Sequence, residues 1–428
     1  MLNDIIEDLF KIYLASIDSY NSKIYQIQNE KYTIIDKAML SIYLFVKIIE
    51  DRNEKNDEVT ESLHNYILKQ IIYSETGNLA FEISDKSKTE LYHEILENLI
   101  LEKFEYKNRI IKKLKYSYTM LKLNKYTELL MFLEEIAEYL IFKKMYLRGN
   151  KEITLYIENA EEKFIKEIEN LEKNDYFYKE KSEIIKSILN DKFDGSEYGN
   201  LIKVALNLKD VYRYSQITTQ LPENVLFHQY TVTLISILLA EYSNRELNEN
   251  IDIYKIITKS LFHDFTEYKG TEIITQFKNY NEITKKMFAE IEKNDEQELK
   301  NKIGEDLYNI ICNYKKEAEG YISELVDKML GIMKLCVEVE YLGNYTFIKT
   351  INSVYQDRFK RFLRIENIEK IRNKSFYIEL LREYYIYIKQ HLIEKDIRYF
   401  LKYFTEEELK DFRQEIKLLQ DKPETFLK

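Results

Sequence analysis

The residues with the clearest chemical potential lie in one short stretch, Leu261-Phe262-His263-Asp264-Phe265-Thr266-Glu267. It is apolar up to Phe262 and polar afterwards, which predicts a helix that leaves the protein core at this point. On a helix, Glu267 follows His263 by four positions and Asp264 by three, so these side chains share one face. An imidazole and a carboxylate can hold one divalent cation, and a second carboxylate nearby can move a proton to or from water.

A single His-Asp pair is a weak signal, because 74 of 428 residues are acidic and five are histidine. About one such pair is expected by chance. Two distant residues strengthen it: His228 begins an apolar helix after Pro222, and Asp327 lies in a helix that we expect to open at Glu324. Two imidazoles and two carboxylates suit Mn, Fe, Co, Ni or Zn. Taken alone, His228 also fits a core histidine and Asp327 a helix cap.

In these residues the chain resembles the HD-domain metal-dependent phosphohydrolases, whose signature is H…HD…D. Within that superfamily, roughly residues 205–350 are similar to the YfbR-like bacterial 5′-deoxynucleotidases. The similar segments are Arg213-Tyr214, Glu223-Asn224-Val225, His263-Asp264-Phe265-Thr266-Glu267 and Val326-Asp327. That family removes phosphate from deoxynucleoside 5′-monophosphates with one divalent cation, and the resemblance implies the same activity here.

The resemblance also implies a role for each matching residue. The metal ligands are His228, His263, Asp264 and Asp327, and the ion is Mn, Co, Fe, Ni, Zn or Mg. Arg213 contacts the phosphate as a catalytic residue, Tyr214 bounds the nucleotide pocket, and Glu267 assists proton transfer. The family's Gly-Asp-Leu-Pro is absent; Glu272 stands in place of its sugar-facing Asp, and Phe227 replaces an acidic residue before the first His.

The sequence leaves two other classes of function open and disfavours a third. The same site could hydrolyse nucleoside triphosphates, or the cyclic and linear oligonucleotide signals of phage defence. The chain could instead be a non-catalytic scaffold that binds a nucleotide or a protein between its halves. A nucleic-acid-binding role is disfavoured, because the net charge is −10 and binding to duplex nucleic acid depends on neutralising phosphates.

The elements that position these residues are predicted to be helices. The chain has only nine Gly and two Pro, which indicates an all-α protein. No P-loop, dinucleotide fingerprint or nucleophile elbow is present, and neither cysteine belongs to a CxxC pair. Apolar periodicity predicts helices over 1–20, 32–50, 60–73, 89–103, 107–123, 126–148, 152–172 and 177–190, with a break over 74–88.

Faint echoes at a nearly constant shift indicate an internal repeat of roughly 195 residues. Glu162-Lys163-Phe164, for example, resembles Asp357-Arg358-Phe359. We therefore expect a degenerate HD-like helical domain over 1–195, an HD phosphohydrolase domain over 196–395 and a helical tail over 396–428. The first copy lacks the ligands: Tyr73 and Ser74 fall opposite His263 and Asp264, and Asp36 falls opposite His228.

The sequence also bears on location and partners. The N-terminus lacks a basic targeting segment, and no apolar run is expected to be long enough for a membrane span. We therefore predict a cytoplasmic protein with no membrane partner. The resemblance described above implies a nucleotide substrate. A homodimer is left open.

Overall fold

The computed structural model describes residues 2–21, 23–27, 30–80, 124–170, 175–189, 196–214, 219–269, 281–313, 317–340, 342–344, 371–395 and 405–421. Within these ranges the regular structure is helical apart from two short antiparallel hairpins. The all-α prediction is confirmed.

The first half begins with a helix, a hairpin and a core helix. Helix α1 (Leu2–Asn21) leads into strands β1 (Lys23–Ile27) and β2 (Glu30–Thr33), and α2 (Ile34–Arg52) follows at once. Thr33 and Asp36 form a capping box at the start of α2, in which each side chain accepts the other's backbone N–H at 3.1 Å. The other helices described in this half are α3 (Asp57–Ala80), α4 (Lys125–Leu147), α5 (Thr154–Asn170) and α6 (Tyr178–Leu189).

The second half begins with the same order of elements. Helix α7 (Glu197–Asp210) leads into β3 (Tyr212–Arg213), which pairs with β4 (Glu223–Asn224) immediately before α8 (Val225–Glu246). Asn224 caps α8 by accepting the N–H of Phe227 at 2.8 Å. The later elements are α9 (Ile253–Phe262), a 3-10 turn (Phe265–Lys269), α10 (Glu282–Ile303), α11 (Glu305–Asn313), α12 (Ala318–Glu340), α13 (Lys374–Lys395) and α14 (Glu406–Asp421).

Helix α8 is central to the packing. It contacts α9, α12 and α2, while α2 also packs on α4 and α7, and α1 packs on α3 and α13. One hydrophobic core therefore runs through both halves of the chain. Because α8, α9 and α12 lead to the candidate metal ligands and contact one another, the relative positions of these ligands are fixed by the core.

Helix α8 also corrects one expectation. Among the described residues it is the one helix long and apolar enough to cross a membrane, with 22 residues and a mean hydropathy of 1.2. The prediction that no apolar run reaches that length was wrong. However, 94% of its apolar window is buried inside the protein. A helix that is apolar on all sides suits such a central position in the core.

The predicted helix boundaries agree with the structure to within a few residues for α1, α2, α4, α5 and α6. The predicted break over 74–88 was wrong at its start, since α3 continues to Ala80. One glycine costs only about 1 kcal/mol inside a helix, which is too little to end it. The helices predicted over 89–103 and 107–123 lie outside the described residues.

Candidate metal centre

His228 lies in the first turn of α8, and its two ring nitrogens face different carboxylates. Nδ1 lies 3.3 Å from Oε1 of Glu223, in the strand that precedes the helix. Nε2 lies 3.0 Å from Oδ1 of Asp327 and 3.6 Å from Oδ2 of Asp264. The imidazole is buried. With Nδ1 facing Glu223, Nε2 is the ring atom that faces the other two acids, and it is in hydrogen-bond contact with Asp327.

His263 and Asp264 follow the end of α9, and here the helix prediction was wrong. The α-helix ends at Phe262, His263 is its C-cap, and a 3-10 turn begins at Phe265. The imidazole Nδ1 of His263 donates to the carbonyl of Ser260 at 2.6 Å, an acceptor that the helix end leaves without a partner. Nε2 then lies 3.1 Å from Oδ2 of Asp264.

Aromatic packing holds this turn in place. The rings of Phe262 and Phe265 lie 5.0 Å apart, and Tyr43 of α2 packs on them at 5.3 and 5.1 Å between centroids. All three rings are buried. The first half of the chain therefore supports the backbone that carries His263 and Asp264.

Asp327 lies near the middle of α12 rather than near its start. The helix was expected to open at Glu324, but it begins at Ala318. Oδ2 of Asp327 accepts a hydrogen bond from Lys328 at 2.5 Å, while Oδ1 faces His228. One oxygen of Asp327 is thus held by its neighbour, and the other is directed at His228.

The four side chains converge on a common point. One ligand atom from each of His228, His263, Asp264 and Asp327 lies within 4.8 Å of the others, and such a group could hold a metal ion. The imidazole centroids of the two histidines are 5.2 Å apart. Both histidines engage Nδ1 elsewhere and present Nε2 to the group, as metal-ligating histidines do. The nitrogen and oxygen donors therefore fit one borderline divalent cation.

The electrostatics of the group also favour a cation. Burial raises the pKa of Asp264, but the neighbouring His263 and Arg213 outweigh that effect and hold the pKa below its ordinary value. Burial likewise raises the pKa of Asp327, and Lys328 and His228 more than reverse it. Both carboxylates are therefore ionised at neutral pH, and these partly buried negative charges can be stabilised by a bound cation.

Arg213 is directed at the same group from the β3–β4 hairpin. Its Nη1 atom lies 3.8 Å from both Oδ2 of Asp264 and Oδ1 of Asp327, and its side chain is largely buried. Tyr214 follows with a positive φ of 58°, and its ring centroid lies 5.7 Å from the guanidinium carbon. The hairpin thus places a cation beside the two carboxylates and an aromatic ring beside that cation.

Comparison with known proteins identifies the second half of the chain. A model of the 5′-deoxynucleotidase YfbR-like family matches residues 200–384. Residues 200–384 are thus similar to this family, and in that sense we call the second half YfbR-like. The match starts near the N-terminus of α7 and extends into α13, so it is longer than the resemblance expected over 205–350.

The curated relatives of this YfbR-like half are named 5′-deoxynucleotidases. One from Enterobacter sp. (strain 638) is 25% identical over 170 residues, covering 37% of this chain and 85% of the relative. YfbR of Shigella boydii is 26% identical over 147 residues, covering 33% and 73%. A relative from Pectobacterium atrosepticum is 28% identical over 145 residues, covering 33% and 72%. No solved structure shows significant similarity.

The structure shows less about two other predicted site residues of the YfbR-like half, Glu267 and Glu272. Glu267 lies in the 3-10 turn, where its N–H donates to the carbonyl of Asp264 at 3.0 Å. Residues three apart lie on the same side of a 3-10 helix, so Glu267 stays on the side of Asp264 although the α-helix has ended. Glu272 lies outside the described residues.

Sequence reasoning missed the contact that Glu223 makes. It was noted only as part of a matching segment, yet it is buried and faces Nδ1 of His228. Its partner across the hairpin is Arg213, and ten positions separate the two residues in the chain. The available signal was an acidic residue next to a helix cap and five positions before a candidate ligand, which alone does not indicate contact.

Sequence reasoning also missed a buried ion pair, which holds the backbone just before strand β4 in place. The carboxylate of Glu338 on α12 accepts the backbone N–H groups of Gln220 and Leu221, each at 2.9 Å. Lys334, one turn earlier, pairs with Glu338 at 3.0 Å and donates to the carbonyl of Leu221. The helix that carries Asp327 therefore also anchors the backbone that leads into Glu223.

Proposed function

We propose that the YfbR-like half is a metal-dependent phosphohydrolase that removes the phosphate of nucleoside 5′-monophosphates, with deoxynucleotides as the preferred class. The observation that carries this proposal is the convergence of two imidazoles and two carboxylates within 4.8 Å, beside a buried arginine. The family match supports the reaction class, because the relatives are named 5′-deoxynucleotidases.

In this proposal His228, His263, Asp264 and Asp327 hold one divalent cation. Such a cation supplies Lewis acidity, which makes water more acidic and polarises phosphoryl oxygens. Nitrogen donors favour Mn, Fe, Co, Ni or Zn over Mg, which prefers oxygen ligands. The contacts on the two Nδ1 atoms keep both Nε2 lone pairs available for the ion.

Arg213 has the position and charge to bind the phosphate. Burial disfavours its charge, but the neighbouring Tyr214 and the acids around it more than compensate, so the pKa of Arg213 lies above its ordinary value. A guanidinium donates two parallel hydrogen bonds to a phosphate and stabilises the negative charge of the transition state. The Tyr214 ring beside it bounds the nucleotide pocket in this proposal.

Proton transfer is assigned to Glu267. As a carboxylate near the metal ligands, it takes a proton from the attacking water or delivers one to the leaving 5′-oxygen. Glu272 is proposed to face the sugar, where its extra methylene relative to aspartate bears on deoxy over ribo preference. We further propose that the enzyme acts in the cytoplasm, where free nucleotides are its substrates, and a homodimer is left open.

The test is phosphate release by the full chain from a panel of ribo- and deoxynucleoside monophosphates, with Mn²⁺ or Co²⁺ added. We expect release from the deoxynucleoside 5′-monophosphates, and a loss of at least about 10³-fold for His263→Ala, because a ligand is removed. Lys166→Ala, an exposed substitution on α5, is the control that keeps full activity.

The same panel separates the alternative functions when it includes triphosphates and cyclic dinucleotides. Faster release from those substrates would change the substrate class but keep the metal centre. No hydrolysis of any nucleotide, together with no bound metal, would contradict the enzyme proposal and favour a binding scaffold.

A further inference from the structure

A side chain from the first half reaches the candidate metal centre from the side opposite the ligand atoms. Tyr13 on α1 donates its hydroxyl proton to Oε2 of Glu223 at 3.3 Å. The other oxygen of Glu223 lies 3.3 Å from Nδ1 of His228. A continuous path therefore runs from the first half to a proposed ligand. Its three side chains are only 1%, 4% and 2% exposed, in the order Tyr13, Glu223 and His228.

This path resembles the arrangement in which a carboxylate holds a metal-ligating histidine in place. A ligating histidine that donates its second N–H to a carboxylate has a fixed tautomer and ring orientation, and it is a stronger donor. A carboxylate does this best when its own rotation is fixed. Tyr13 holds the oxygen of Glu223 that His228 does not use, so the plane of the carboxylate is set from both sides.

Tyr13 is suited to act as the donor in this path. Burial raises the pKa of its phenol well above the ordinary value, and the negative charge of Glu223 raises it further. The phenol therefore stays protonated at neutral pH. Water has little access to the path, because all three side chains are buried. Oε2 of Glu223 therefore receives its hydrogen bond from Tyr13 rather than from solvent water.

We propose that Glu223 and Tyr13 are positioning residues of the metal centre, and that the first half thereby forms part of the catalytic unit. Glu223 orients His228 directly, and Tyr13 orients Glu223. The inference rests on the proposed function in one respect, since it requires a cation at His228, His263, Asp264 and Asp327.

The structure offers a matched control for this inter-half contact. Tyr254 on α9 donates to Oε1 of Glu50 on α2 at 2.9 Å, which is again a buried tyrosine–glutamate hydrogen bond between the halves. Tyr254 precedes His263 by nine residues, about 14 Å along a helix, and none of its described partners is a proposed ligand. Loss of the Tyr254–Glu50 hydrogen bond therefore tests packing between the halves while the path to His228 stays intact.

The experiment is a Co²⁺ titration of the full chain, followed by visible absorption, which reports the geometry around the ion as well as affinity. We expect Glu223→Gln to weaken Co²⁺ binding about 10- to 100-fold and Tyr13→Phe about 3- to 10-fold, and both to alter the absorption bands. Tyr254→Phe should bind Co²⁺ within about twofold of wild type, since its hydrogen bond touches no ligand. Thermal unfolding without metal checks that each variant is folded.

Different outcomes overturn different statements. Should Tyr13→Phe and Glu223→Gln bind Co²⁺ with the wild-type affinity and spectrum, the inference is wrong while the proposed function stands. Should Tyr254→Phe weaken binding as much as Tyr13→Phe, the effect comes from general packing, and the inference is again wrong. If the wild-type chain binds no Co²⁺, the proposed function fails and the inference fails with it. Tyr13→Phe removes a single oxygen, so it keeps the test decisive even when Glu223→Gln does not fold.

Discussion

At the residue scale, Tyr214 has a backbone conformation that its side chain disfavours. Its φ is 58°, and the other non-glycine residues with positive φ in the described part of the chain are Asn53 and Asn248. Asparagine tolerates this left-handed region, whereas a bulky residue there costs roughly 1–2 kcal/mol. Such strain is concentrated at functional sites. Tyr214 follows Arg213, and its ring lies beside the guanidinium that faces the candidate centre.

We therefore expect Tyr214→Asn to separate stability from function. The substitution relieves the strained conformation, so the free energy of unfolding should stay equal or rise by up to about 1 kcal/mol. The KM for the nucleotide should rise several-fold, because the ring that bounds the pocket is lost. Thermal unfolding and steady-state kinetics measure the two effects.

Tyr212→Asn is the control for this prediction. Tyr212 is exposed and lies in strand β3, where asparagine is disfavoured. It should therefore lose a little stability and keep the wild-type KM. A Tyr214→Asn variant that is less stable than wild type but has an unchanged KM would show that this ring serves packing alone.

The candidate ligands could be found from the sequence, whereas their support could not. Histidines are sparse, so His228 and the His263-Asp264 pair stood out by residue type, order and resemblance. The contact between Glu223 and His228 depends on a hairpin whose partner strand, at Arg213, lies ten positions earlier. Pairing of two-residue strands leaves no periodicity for sequence reasoning to detect.

At the element scale, the Lys334–Glu338 pair on α12 anchors the backbone that leads into strand β4. Both side chains are buried, and Glu338 satisfies two backbone N–H groups of the approaching chain. Removing one partner of a buried pair leaves the other charge uncompensated. We expect Glu338→Ala to lower the free energy of unfolding by about 3–5 kcal/mol at neutral pH, as measured by denaturant unfolding.

The pH dependence of this effect has a definite sign. Burial raises the pKa of Glu338, but the N–H groups of Gln220 and Leu221 and the charge of Lys334 outweigh it, so the folded-state pKa is lowered. A lowered pKa stabilises the fold above the unfolded-state value of about 4.3, and that stability is lost as the pH falls through the folded-state pKa. The difference between wild type and Glu338→Ala should therefore shrink below about pH 4.

The exposed pair Glu162–Lys166, with the same spacing of four residues, is the control for Glu338. Glu162→Ala should change stability by no more than about 0.5 kcal/mol, because exposed ion pairs contribute little. Equal effects of the two substitutions would mean that Glu338 does not anchor the hairpin.

Helix positions followed from apolar periodicity, but the end of α9 did not. His263 and Asp264 were expected on a continuing helix, because their spacing to Glu267 fits one. The helix ends at Phe262 instead, since the imidazole of His263 takes the Ser260 carbonyl and the rings of Phe262 and Phe265 pack on Tyr43. The packing on Tyr43 is a tertiary contact, which local sequence patterns do not report.

At the scale of the whole molecule, the internal repeat stays a proposal that the order of elements supports. Both halves begin with a helix, a hairpin and a core helix, and the caps of the two core helices, Thr33 and Asn224, are 191 positions apart. Counted from these caps, Lys37 rather than Asp36 corresponds to His228. The side chains of Tyr73 and Ser74, expected opposite His263 and Asp264, lie outside those described.

This correspondence extends to the partners of the two residues. Nζ of Lys37 lies 2.8 Å from Oε1 of Glu134 on α4, and Nε2 of His228 lies 3.0 Å from Oδ1 of Asp327 on α12. Glu134 and Asp327 are 193 positions apart, close to the shift between the caps. Where the second half has an imidazole and a carboxylate for a metal, the first half has an ammonium that already neutralises its acid. One metal per chain is therefore expected.

The whole-molecule prediction is that His228→Lys gives the second half the pairing of the first. The new ammonium should pair with Asp327, so the variant should fold in the absence of metal but bind no Co²⁺. His228→Ala should also lose Co²⁺, yet it leaves the buried acids without a partner on α8. Its metal-free form should therefore be less stable than His228→Lys by about 1–3 kcal/mol in denaturant unfolding.

Lys37→Met should destabilise the first half while Co²⁺ stays at one ion per chain. A second bound ion in wild type, or wild-type Co²⁺ affinity in His228→Lys, would contradict the correspondence, because an ammonium and a cation cannot occupy the same position beside Asp327.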